Sequence, residues 1–162
     1  EAVADDLARI CEIWEHALAV SGGPWLAGRY SVADAFYAPV AARIATSGLD
    51  VSSVAEAYMA GHLNHLPFRR WRAAGLVSGE TLPWYAMPDL TTRPWPGPAP
   101  REARAVEEGP SENSACPYSG EAPRHFLEIE GRVIGFCNAL CRDKTVADPE
   151  AWPAFMALLR GH

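Results

Sequence analysis

No stretch of the 162 residues reads as a membrane span, because no apolar run approaches the roughly 20 residues a helix needs to cross a bilayer. A secretory leader is not visible either, and no internal repeat appears. Basic charge is scarce: 14 Lys and Arg stand against 20 Asp and Glu, a net charge of −6, which gives no electrostatic reason to bind nucleic acid or an anionic membrane. Four cysteines do not make a disulfide scaffold at this size. Three of them, Cys116, Cys137 and Cys141, fall within 26 residues, whereas Cys11 is isolated. In a cytoplasmic chain such a cluster points to metal or redox chemistry. What is present is apolar material: 49% hydrophobic residues and 10% aromatics can bury a core in one domain, or in a smaller one plus an appendage.

The first half has helical spacing. Val3, Leu7, Ile10, Trp14 and Leu18 recur three and four apart and predict an amphipathic helix from Val3 to about Val20, with Cys11 and His16 as packing or surface residues. Ser21-Gly22-Gly23-Pro24 ends it, and Trp25-Leu26 are placed under the next helix. Ser31 stands three residues before Asp34, so the two can form a capping box for a helix from about Val32 to Thr46. Ala33, Phe36, Tyr37, Val40, Ala41 and Ile44 cover more than half its circumference, which predicts a buried central helix, kinked at Pro39 and closed by Gly48.

Ser52 or Ser53 can cap a third helix with Val54, Tyr58 and Leu63 inward. His62 and His65 share a face of it; without a carboxylate or third ligand nearby they read as a solvated helix end rather than a metal pair. Pro67 starts a last helix with Phe68, Trp71 and Leu76 inward. Arg69, Arg70 and Arg72 are expected outward as a solvated face, an anion contact being the alternative.

The run Pro24 to Val40, PWLAGRYSVADAFYAPV, resembles glutathione S-transferases at the turn leading into the capped, buried helix of their C-terminal helical domain. The likeness extends from about Val3 to Ala74, and Ser31 and Asp34 match that family's capping pair. It implies a helical domain, glutathione as co-substrate, a small hydrophobic electrophile as partner substrate, and a homodimer when full length. The family's N-terminal thioredoxin-like domain, which binds glutathione and supplies the catalytic residue, is not in this sequence. The chain is therefore expected to be a fragment without a catalytic residue of its own.

Between Pro83 and Pro110 lie seven of the fourteen prolines, a density that excludes regular helix or interior strand. Trp84, Tyr85 and Trp95 argue that the first half of residues 79–114 lies against the helical domain, while Ala99 to Ser114 reads as a charged linker. By the transferase resemblance, Trp84, Tyr85 and Met87 help to wall the hydrophobic substrate site.

Residues 115–162 form a separate small unit. Phe126, Ile129, Val133 and Phe136 fit two short strands joined at Glu130-Gly131-Arg132, and Asn138 can cap a helix carrying Cys141. Asp148-Pro149 starts a closing helix with Trp152, Phe155, Met156 and Leu159 on its apolar face. About 45 residues bury too little surface to be comfortable without a staple. Cys116, Cys137 and Cys141 offer three ligands for zinc, whose tetrahedral site needs a fourth: His125 is the nearest imidazole, with His162, Asp143 or water as the other options.

The pattern CPYSG, then GRVIGFCNALCRDK, then ADPEAW resembles the YHS family of small treble-clef-like metal-binding modules, related to the TRASH modules. The likeness covers about Cys116 to Trp152, and the three cysteines match that family's metal-binding cysteines. Tyr-His-Ser itself is missing, and His125-Phe126-Leu127 stands in that region.

The expected architecture is mainly α: a transferase-like helical bundle (1–78), a proline-rich linker (79–114) and a small ββα metal-binding module (115–162). The expected function is glutathione-dependent chemistry by the full-length protein, with a structural zinc site in this chain. Heavy-metal handling, and thiol redox sensing through Cys137 and Cys141, are the alternatives.

Overall fold

The computed structural model describes residues 2–80, 82–85, 91 and 93–161, the side chains of Ala2 and Tyr85 excepted. The described chain is mainly helical with one small antiparallel sheet. In order it forms α1 (Ala2–Ser21), α2 (Val32–Ser47), α3 (Ser53–Asn64), α4 (Leu66–Ser78), β1 (Arg104–Val106), β2 (His125–Ile129), β3 (Arg132–Phe136), α5 (Ala139–Ala147) and α6 (Pro153–Leu159). Two short 3-10 turns, Pro83–Tyr85 and Pro149–Ala151, complete the description. No described helix is long and apolar enough to cross a membrane.

The chain divides into two compact units, Glu1–His65 with Thr91–Pro98, and Leu66–Leu90 with Ala99–His162. The first unit is built on Trp14, which is fully buried and packs edge-on against Tyr37 and at 4.9 Å from Tyr58. Ala41, Ile44, Ala55 and Met59 close the same core, with Leu7, Ile10, Cys11 and Leu18 of α1 against it. Burying an indole this completely is one of the larger apolar contributions a small domain can make.

The capping box of α2 forms as the spacing predicts, and Gly48 ends the helix in the left-handed conformation. The Asp34 carboxylate then does more than cap. Its Oδ2 accepts from the Ser31 N–H and hydroxyl, both at 2.8 Å, and its Oδ1 accepts from the Leu26 N–H and the Tyr58 hydroxyl, both at 3.0 Å. The incoming turn, α2 and α3 are thus tied at one fully buried group.

Helix α2 is buried along one stripe rather than all round: Asp34, Ala38, Ala41 and Ile44 face in, while Phe36 is 79% exposed. Helix α3 starts from Ser52, whose hydroxyl accepts from the Ala55 N–H. Its inward stripe of Ala55, Tyr58, Met59, His62 and Leu63 leaves Val54 outside and takes His62 inside, contrary to the expected solvated end. Cys11 is packed at the core edge, as expected, and His16 is exposed.

In the second unit, β2 and β3 form a hairpin with His125 opposite Phe136 and Ile129 opposite Arg132. Glu130 and Gly131 both have positive φ, 53° and 76°, as a two-residue type I′ turn requires. Leu127, Ile129, Ile134 and Phe136 face a core shared with Cys116 and Phe155.

The stretch expected to be a linker is part of this unit. Strand β1 pairs with β2, Arg104 standing opposite Glu128 and ion-paired to it. On the free edge of β3, the Glu112 N–H donates to the Val133 carbonyl, and the Asn113 side chain bonds both the N–H and the carbonyl of Gly135. Asn113 therefore does a strand residue's pairing with its side chain. Gly135 is required there, since a Cβ would sit 2.4 Å from Pro123.

Helix α4 also belongs to the second unit and packs against α5. Its arginines are not a solvated face. Arg69 makes a bidentate pair with the buried carboxylate of Asp148 at 2.7 and 2.9 Å, and the Arg70 Nε donates to the Ala151 carbonyl at 2.8 Å. With its carboxylate on Arg69, Asp148 precedes only the 3-10 turn Pro149–Ala151 and makes no side-chain cap bond; the closing helix starts at Pro153. Phe68 and Ala73 are the buried residues of α4, and Trp71 and Leu76 are exposed.

Candidate metal centre

Three elements converge on one point of the second unit. The first is the turn Cys116-Pro117-Tyr118-Ser119-Gly120, in which the Gly120 N–H donates to the Cys116 carbonyl and the Cys116 N–H to the Glu121 carbonyl. Gly120 has φ 76°, the conformation that lets the chain reverse so tightly. The second is the residue after β3, Cys137. The third is the first turn of α5, where the Asn138 side chain caps the helix by accepting from the Cys141 N–H at 2.8 Å. The ligand atoms of Cys116, Cys137 and Cys141 all lie within 4.8 Å of one another.

The spacing fits a metal. Four sulfurs at about 2.3 Å from a tetrahedral zinc sit about 3.8 Å apart, and the Cys137 and Cys141 sulfurs are 3.9 Å apart. That separation is far beyond a disulfide bond of about 2.05 Å, and all four cysteines are free thiols.

The surroundings differ for each sulfur. Cys116 is buried, which works against its thiolate. The N–H groups of Cys137, Tyr118 and Ser119, with the Ser119 hydroxyl, outweigh that cost and bring its pKa down to about 7. Cys141 is pushed up to about 11 by burial and by its hydrogen bond with Cys137, with Lys144 pulling the other way. A divalent ion held by these three sulfurs would favour their thiolate forms.

The ring of second neighbours is built as well. The Asn138 amide donates to the Cys137 sulfur at 3.3 Å. Thr145 donates to the Cys141 carbonyl at 2.7 Å and meets the Tyr118 hydroxyl at 2.6 Å. Lys144, the chain's single lysine, holds its ammonium 4.4 Å from the ring centres of both Tyr118 and Trp152. Such contacts orient ligands and balance the charge of a thiolate site.

Among the described residues, the cluster consists of the three cysteines alone. His125, expected as the fourth ligand, begins β2 half-buried opposite Phe136 and is not in the group. Asp143 is not in it either and pairs with Arg142 at 2.7 Å. His162 lies outside the described residues. Ser119, Asn138 and Lys144 were not singled out around the metal from sequence. Their signals were position: three residues after Cys116, one after Cys137 and three after Cys141.

Of the expected substrate wall, only the Trp84 side chain lies among the described residues. Trp84 is 72% exposed, and Met87 and the Tyr85 side chain lie outside the described residues. The first unit instead carries an open groove of about 660 Å³ between α1 and α2, with Leu7, Ile10, Val40 and Ile44 along it and Asp6 and Arg43 among its polar lining. His62 and His65 do not converge on a ligand: Tyr30 stacks on His65 at 4.0 Å, and His62 sits edge-on to Trp25 and Tyr58.

No family model, no curated protein and no solved structure matches this chain.

Proposed function

We propose that the second unit is a metal-binding module in which Cys116, Cys137 and Cys141 hold one thiophilic divalent ion, zinc first among them. The observation that carries this reading is the triad of sulfurs within 4.8 Å, delivered by a tight turn, a strand end and a helix start. Zinc bound there would crosslink three segments of the second unit: a tight turn, a strand end and a helix start. The test is elemental analysis of protein purified without chelator, with Cys116→Ser and Cys137→Ser alongside. One zinc per chain in the parent and loss in both variants is the expected result. A metal-free parent with Cys137 and Cys141 joined as a disulfide would replace this reading with redox sensing.

For the first unit the favoured reading is the C-terminal helical part of a glutathione-transferase-like protein. Its support is the Ser31–Asp34 box, formed as the resemblance implies, and the apolar groove between α1 and α2. In that reading the thioredoxin-like part supplies glutathione binding and the catalytic residue, and this chain supplies part of the hydrophobic co-substrate wall. Retention of the full-length protein on immobilised glutathione, with elution by free glutathione, is the expected result; passage without retention would remove the transferase reading and leave the metal module standing.

A further inference from the structure

Three protein ligands leave a tetrahedral ion one position short, and the way this site is walled indicates where that position lies. Cys116 is buried at the back, under the hairpin core. Cys137 and Cys141 are only half-buried, and two residues bonded to ligand sulfurs, Ser119 at Cys116 and Asn138 at Cys137, are exposed. Closed structural zinc sites take four protein ligands, whereas sites that exchange a ligand keep one position for it.

Ser119 marks this gap in the sequence as well. Paired thiolate ligands in zinc knuckles have two to four residues between them, and the third residue after Cys116 carries a hydroxyl where such a pair would have a second sulfur. The Ser119 oxygen accepts from the Glu121 N–H at 3.2 Å and bonds to the Cys116 sulfur. It is therefore already engaged beside the thiolate.

We infer that the fourth position of the Cys116–Cys137–Cys141 site opens to solvent beside Ser119 and Asn138 and takes the sulfur of a small thiol as an exchangeable ligand. This rests on the metal-binding reading above and adds the chemical class of ligand. Three sulfur donors make a borderline ion softer and favour a fourth soft donor. The groups flanking the three sulfurs are donors or positive: the Asn138 amide at Cys137, the Ser119 hydroxyl at Cys116, and the Lys144 ammonium, whose charge acts on Cys141. The acidic neighbour Asp143 is engaged by Arg142. An incoming thiolate thus meets positive and donor groups. On binding, the thiol gives its proton to buffer, the sulfur–metal bond forms, and solvent leaves that position; no electrons are transferred.

Cobalt(II) reports both steps. Chain loaded with one equivalent of Co(II) should show thiolate-to-metal charge transfer from three sulfurs. Titration with 2-mercaptoethanol should then shift the ligand-field bands saturably and raise that charge transfer by about one third, as three Co–S bonds become four. The Ser119→Cys variant should start at the four-sulfur intensity and stay unchanged by thiol. A three-sulfur spectrum that 2-mercaptoethanol does not alter would overturn the inference, because another group then holds the position. So would a response to imidazole with none to the thiol. Failure to show three Co–S bonds at all would instead remove the metal-binding reading itself.

Discussion

Asp34 keeps its charge inside the first unit because four donors face it. Burial opposes ionisation, but the N–H of Leu26, the hydroxyl and N–H of Ser31 and the hydroxyl of Tyr58 together hold its pKa below the usual carboxylate range. Tyr58→Phe removes one hydrogen bond to a buried charge and should cost about 1.5–3 kcal/mol in urea unfolding. Asp34→Ala orphans donors from three segments at once and should cost more than Tyr58→Phe. His62 is the opposite case: an imidazole without a hydrogen-bond partner for either nitrogen among the described residues. Burial, with His65 adding to it and Asp34 opposing, lowers its pKa from 6.5 to about 4. The unfolded chain therefore binds the proton first, so stability is full above about pH 6.5 and is lost as pH falls toward 4. The loss from this group should approach about 3 kcal/mol at the low end. His62→Phe should flatten the stability profile between those pH values; an unchanged profile would assign the slope elsewhere.

At the scale of elements, α4 shows how a helix can be legible while its place is not. Its start follows from Pro67, yet its Arg69 is anchored on Asp148, 79 residues further on. Periodicity also misread the covered face here: Trp71 and Leu76 stand exposed while Arg69 and Arg70 are engaged, because spacing within a helix says nothing of the partner it meets. Arg69→Met leaves the Asp148 carboxylate buried without its guanidinium and should destabilise the second unit by about 3 kcal/mol. Adding Asp148→Asn should recover part of that loss, measured as a double-mutant cycle. Strand β1 was hidden for a related reason. Arg104-Ala105-Val106 is too short for an alternating pattern, and only pairing with β2 makes it a strand. The α2 capping box, the hairpin turn and the Asn138 cap were readable because each is set by residues within four positions of one another.

For the whole chain, the two units should respond differently to one reagent. Removal of metal by EDTA should collapse amide protection in β2, β3 and α5 while leaving α2 and α3 at their original exchange rates, read residue by residue by hydrogen exchange. Equal loss in both units would contradict a staple confined to the second. The three cysteines stood out in the sequence as candidate ligands, with metal and redox chemistry both open, and the structure brings their ligand atoms within 4.8 Å of one another. The fourth ligand expected from sequence is not in the cluster, since closeness in number does not say which way a strand residue faces. His125 is near Cys116 in number, but the hairpin register sets it opposite Phe136.

That register has a consequence for how such a module can vary. The strands between Cys116 and Cys137 act as a ruler with a tick of two residues, because neighbouring side chains point to opposite faces. One residue inserted within β3 would put Ile134 and Phe136 on the wrong face or carry Cys137 away from its partners. Growth at the Glu130-Gly131 tip in matched pairs would leave the base of the hairpin undisturbed. Chains that share this centre should therefore differ in the gap between their first two cysteines chiefly by even steps at the tip, while the three residues separating the last two stay constant.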